Sequence, residues 1–158
     1  MKKLLIILCF IALFSCKDNS VKTETSDKYI FGFFAGYVAT NIYSHIYKFE
    51  NNTLYEDTNH DYATYFKEYD ANWKKMPDSM KVHLNNTIWE IPQQLYNEKD
   101  TVFGMPDAYD QGGFYLQVIK KDGTSRYWLF DSNTKDIPQY MVSYIENLRS
   151  IIWKFNGY

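Results

Sequence analysis

The sequence predicts an α+β domain in which a mainly antiparallel sheet is packed by two α-helices. Three observations carry that expectation. Aromatic residues make up 19% of the chain, with fifteen Tyr and eleven Phe, and aromatics favour half-buried strand positions. Two strand-like runs, Phe114 to Lys120 and Ser125 to Asp131, flank Lys121-Asp122-Gly123, a strong hairpin turn signal. From Met141 to Phe155, apolar residues recur at steps of three and four, the period of an amphipathic helix. With 158 residues the chain can build one domain with a core of its own. We divide it into residues 1–15, 16–28 and a single domain at 29–158.

Residues 1–15 read as a leader. Lys2 and Lys3 precede an apolar run of 11 residues from Leu4 to Phe14. That run falls short of the roughly 20 residues that cross a hydrocarbon core, and it suits a signal peptide. It ends in Leu13-Phe14-Ser15-Cys16, which resembles the lipobox of bacterial lipoproteins, with Phe14 where a smaller residue is commonest. The resemblance implies cleavage before Cys16, a diacylglyceryl group on its thiol and usually an acyl chain on its new amine. Two or three acyl chains, at about 0.8 kcal/mol per buried CH₂, hold effectively permanently. The expected partner through Cys16 is therefore a membrane.

Lys17-Asp18-Asn19-Ser20 partly resembles the export signal of Bacteroidota surface lipoproteins. The expected location is the outer membrane of a bacterial envelope, facing either side of it. Residues 17–27 are polar apart from Val21 and form a tether with a coil dimension of roughly 15–20 Å. Cys9 leaves with the leader and Cys16 carries lipid, so the mature domain keeps no free thiol. Disulfides, zinc–thiolate sites and cysteine nucleophiles are thereby excluded. Losing Lys2 and Lys3 takes the net charge from −2 to about −4, which argues against nucleic acid and anionic surfaces as partners.

The domain opens with a strand over Tyr29–Tyr37, in which Phe31, Phe33, Ala35 and Tyr37 share one face. Gly32 and Gly36 leave the other face partly bare, so that a backbone or ring can approach closely. A second strand runs over Ile42–Phe49, with Tyr43, His45, Tyr47 and Phe49 on one face. Glu50-Asn51-Asn52-Thr53 turns the chain into a short third strand at Leu54-Tyr55. Glu56–Asn72 reads as a loop followed by another short strand. The first helix is expected over Pro77–Glu90, with Met80, Leu84, Ile88 and Ile91 as its buried stripe and Pro92 as its stop.

A further turn covers Gln93–Asn97, and Lys99–Gln111 reads as loop. In the hairpin that follows, Phe114, Leu116 and Val118 share a face, with Tyr127 and Leu129 expected opposite them. Asp136 and Gln139 have capping-box spacing around Pro138. The second helix buries Met141, Tyr144, Ile145, Leu148, Ile152 and Phe155, and Asn156-Gly157 stops it. Ile91-Pro92-Gln93 echoes Ile137-Pro138-Gln139. At that offset, however, the second hairpin faces Asp70–Asn85, a loop and helix, so no repeat extends from the echo.

Leu54-Tyr55-Glu56-Asp57-Thr58-Asn59, then Asp100-Thr101-Val102, Asp110-Gln111-Gly112-Gly113 and Ile137-Pro138 are similar in order to motifs of a family of small Bacteroidota lipoproteins. The similarity covers most of residues 29–155. It implies an envelope location and a single domain, and carries no activity, cofactor or catalytic residue to transfer.

Among candidate chemical groups, Asp107 and Asp110 lie in one loop with Gly112 and Gly113, and Glu56, Asp57 and Asp61 lie in another. Paired carboxylates serve glycoside hydrolysis or hold hard cations. The spacing matches no EF-hand, and turn acids bonding nearby amides explain it more simply. His45, His60 and His83 are dispersed, with no metalloprotease, Walker, dinucleotide or nucleophile-elbow pattern. No catalytic residue, metal ligand or cofactor is therefore assigned. The binding candidates are Tyr37, Tyr43 and Tyr47 on the first hairpin, able to stack on sugars or hold a protein, with Asp107 and Asp110 beside them. Asp78-Ser79-Met80 and Asp100-Thr101-Val102 resemble the O-glycosylation site of Bacteroidota. The expected function is a non-enzymatic envelope module that binds a protein or glycan. An envelope hydrolase and a subunit of an outer-membrane assembly are the alternatives.

Overall fold

Aromatic alternation in the middle of the chain builds a sheet buried on both faces. The structure, a computed structural model, describes residues 27–35, 44–60, 69, 71–84 and 87–157. Among them are seven strands: β1 (Lys28–Phe34), β2 (His45–Glu50), β3 (Thr53–Asp57), β4 (Trp73–Lys75), β5 (Val102–Phe103), β6 (Gly113–Ile119) and β7 (Ser125–Asp131). They form a single sheet in the order β4-β3-β2-β1-β6-β7-β5. Every neighbouring pair is antiparallel except β5 and β7, which run parallel. One α-helix, α1 (Gln139–Phe155), lies on one face. The α+β class holds in its mainly-sheet form.

The pleat sorts the side chains of β1. Phe31 joins Leu116, Trp128 and Phe130 beneath α1, while Ile30 and Phe34 join Ile46, Tyr115 and Leu129 on the reverse. All six residues expected on the buried stripe of α1 are buried, with Ile151 added to them. Asn156 caps the helix and Gly157 follows in the left-handed region at φ 79°, as its sequence stop predicts. The capping box does not form. The helix begins after Pro138, without a side-chain cap, and Asp136 instead accepts a bond from Asn133 Nδ2 at 2.7 Å within a 3₁₀ turn.

The first expected helix is replaced, among the described residues, by 3₁₀ turns at Asp78–His83, Thr87–Trp89 and Gln93–Asn97. Leu84, Ile88, Ile91 and Leu95 still reach the core. Their spacing served burial and not an α-helix, since steps of three and four also suit 3₁₀ turns laid on a core. The His83 and Phe155 rings meet edge to face, with centroids 6.4 Å apart.

The central hairpin slips by one residue from its expected register. Lys120 pairs with Thr124, leaving three loop residues, with Gly123 in the left-handed region at φ 85°. Leu116 and Phe114 therefore face Trp128 and Phe130, while Tyr127 and Leu129 pair with Gln117 and Tyr115 on the reverse. A two-residue turn would have given the expected partners, and one extra residue moves every β7 side chain across the sheet. The expected loop at Lys99–Gln111 also contains β5, held to β7 by Leu129 N–H donating to Thr101 O at 2.8 Å. The Phe103 and Phe130 rings stack there at 5.3 Å.

Candidate functional site

The sheet ends at β5, and the chain leaves it through Gly104, whose φ of 75° suits glycine. A Cβ there would lie 2.7 Å from Cβ of Asp131, so the loop after β5 presses directly on the end of β7. Asp131 is buried and joins two segments. Its Oδ2 accepts Met105 N–H at 2.9 Å, and its Oδ1 accepts Asn133 N–H at 2.8 Å.

The 104–112 loop then closes on itself. Asp107 N–H donates to Gly112 O at 3.1 Å, and Gly112 N–H returns a bond to Asp107 Oδ1 at 2.9 Å. Gln111 donates through Nε2 to Met105 O at 3.0 Å and accepts Tyr109 N–H at 2.7 Å. Asp107 and Asp110 both hold left-handed backbone, at φ 61° and 59°, a conformation that short polar side chains tolerate. Gly112 presses on the Phe33 ring, where an added Cβ would come within 2.3 Å.

This scaffold lifts two large apolar side chains into solvent, Tyr109 at 83% exposure and Met105 at 60%. Between them and the 132–136 turn lies a groove of about 680 Å³. Gln111, Asp131, Ser132, Asn133 and Asp136 supply its polar lining. Its size falls within the range of about 300–1,000 Å³ usual for small-ligand sites.

The sequence-derived site residues divide unevenly over the structure. Asp107 and Asp110 do lie in the loop that borders the groove, but the Asp107 carboxylate serves the loop's own backbone. Tyr37 and Tyr43 fall outside the described residues. Tyr47 is a core residue, not a binding platform: it is 4% exposed and packs against Phe31 and Phe155. Its hydroxyl accepts a bond from Asn156 Nδ2 at 3.1 Å, and burial pushes the phenol up to about 12. The residues that sequence reasoning missed are Tyr109, Met105, Asp131 and Asp136. The available signal was an aromatic residue isolated among turn-forming acids and glycines.

The other acidic loop is structural too. Asp57 is buried, and its carboxylate accepts four donors: the N–H groups of Asn59, His60 and Asn72, and the Tyr69 hydroxyl at 2.7 Å. Glu56 pairs across the strands with Lys74 at 3.1 Å. Beside them His45 and His60 meet edge to face, 6.2 Å apart, over a cavity of about 110 Å³. Among the described residues, no three His, Cys, Asp or Glu side chains converge as a metal ion requires. Comparison of the chain with protein-family models, curated proteins and solved structures finds no match.

Proposed function

We propose that this protein is a lipid-anchored envelope module, of the Bacteroidota lipoprotein kind its motifs resemble, that binds a protein or glycan partner without transforming it. The observation that carries the binding reading is the groove beneath Tyr109. Its walls expose apolar surface on a loop already locked by hydrogen bonds, so little ordering entropy opposes a ligand. The anchoring reading rests on the basic start, the apolar run and Cys16. Among the described residues no helix is long and apolar enough to cross a membrane.

An immobilised-chain capture from a detergent extract of envelopes tests the binding reading. A component held by the wild type and released by Tyr109→Ala supports it; identical capture by both, or none, overturns it. Anchoring is read separately, by incorporation of an alkyne palmitate analogue that Cys16→Ser abolishes.

A further inference from the structure

The chemistry of the groove narrows its ligand. No Lys or Arg side chain lines it, and two carboxylates, Asp131 and Asp136, do. An anionic ligand would meet like charge there, and the nearby Arg149 guanidinium is already engaged by Ser132 O at 2.6 Å and Glu146 at 3.5 Å. A peptide strand also fits poorly. The sheet edge bordering the groove is β5, only two residues long, too short to offer a ladder of backbone bonds to an added strand.

What the groove does offer is one exposed aromatic face together with short polar groups. Asp136 uses Oδ2 for Asn133, and among the described residues nothing bonds to its Oδ1. Ser132 and Tyr109 bond through their backbone, and among the described residues their hydroxyls meet no partner. The groove thus presents an acceptor-rich polar floor and a ring in one concave site.

We propose that this groove seats a neutral saccharide unit of a glycan chain, with one sugar face on the Tyr109 ring and sugar hydroxyls on Asp136 and Ser132. A pyranose has an apolar C–H face and a rim of hydroxyl donors, which match the ring and the carboxylate respectively. The inference rests on the binding reading above and selects the glycan over the protein. The preformed loop means that the ligand meets the ring already in place, and Met105 extends the apolar wall beside it.

The test is native affinity electrophoresis of the full chain in detergent micelles, in gels containing dextran, mannan, xylan, laminarin or the anionic control alginate. The expected result is retardation by at least one neutral polysaccharide and none by alginate. Tyr109→Phe keeps the ring and the retardation, whereas Tyr109→Ala weakens binding at least ten-fold and Asp136→Ala several-fold. In the wild type, the same polysaccharide slows nitration of Tyr109, read by peptide mass, which needs no variant. Retardation by no neutral polysaccharide overturns the proposal, as does retardation that Tyr109→Ala leaves unchanged. Capture of an envelope protein through Tyr109, with no polysaccharide bound, sinks the glycan assignment and leaves the binding-module reading standing.

Discussion

Asp57 shows how a carboxylate that looks chemical in sequence becomes structural in the fold. Four donors converge on its two oxygens and tie β3 to Asn59, His60, Tyr69 and Asn72. Replacing it with Ala removes the acceptor of four part-buried bonds, where a fully buried unpaired group would cost about 1–3 kcal/mol and these cost less each. Relaxation and water will recover part of that. We expect Asp57→Ala to lose on the order of 3 kcal/mol in urea unfolding, and Asp57→Asn to lose less. Nearby, burial and then the proximity of His60 hold His45 below its ordinary 6.5. Glu56 and Asp57 line the same cavity. As pH falls through 6.5 the unfolded chain takes up the His45 proton first, so this contribution is complete above that pH and lost below it. The urea midpoint should drop between pH 7.5 and pH 5.5, and His45→Gln should shrink that drop. An unchanged drop would assign the pH dependence to other groups.

At the scale of elements, Gly32 was legible in the sequence and explains why β1 and β2 pair so closely. A bare position inside an aromatic strand signalled close approach, and a Cβ there would lie 2.2 Å from His45 O and 2.7 Å from Ile46 Cα. Both atoms are backbone, so no side chain can swing aside. Gly32→Ala is expected to cost about 3 kcal/mol by forcing the central strands apart, measured as a lower urea midpoint at unchanged slope. Retained stability would show that the sheet can open there. The stripe of α1 and its Asn156-Gly157 stop were legible for a similar reason, since local periodicity and one left-handed position decide them. The first helix was not, because spacings of three and four serve 3₁₀ turns on a core as well as an α-helix. The slipped hairpin register depended on how many residues the turn used, which Lys121-Asp122-Gly123 leaves open. The site was the least legible part. Tyr109 acquires its setting only when Gln111, Asp107 and the distant Asp131 close the loop beneath it.

For the whole molecule, the sheet has two ends with different neighbours. Asp27 accepts Lys120 Nζ at 3.1 Å and Lys121 N–H at 3.2 Å, fixing the start of the domain to the β6–β7 turn. From there β1 runs seven residues, roughly 20 Å at about 3.3 Å each, to Phe34, which pairs with Gly113 beside the groove loop. Under the proposed anchoring through Cys16, the chain would enter the domain at the end opposite the groove. The volume that a bilayer excludes would then favour the orientation with the groove end turned away from the lipid. Two tryptophans report this, each 39% exposed. Trp89 packs on Tyr29 and Phe49 at the entry end, and Trp153 on Phe33 at the groove end. With residues 16–158 coupled through Cys16 to a maleimide lipid, energy transfer from tryptophan to dansylated headgroups should fall markedly in Trp89→Phe and little in Trp153→Phe. Equal losses would mean that the domain tumbles freely on its tether. The expected asymmetry leaves the Tyr109 groove open to ligands arriving from the side away from the membrane, where a glycan chain has room to lie across it.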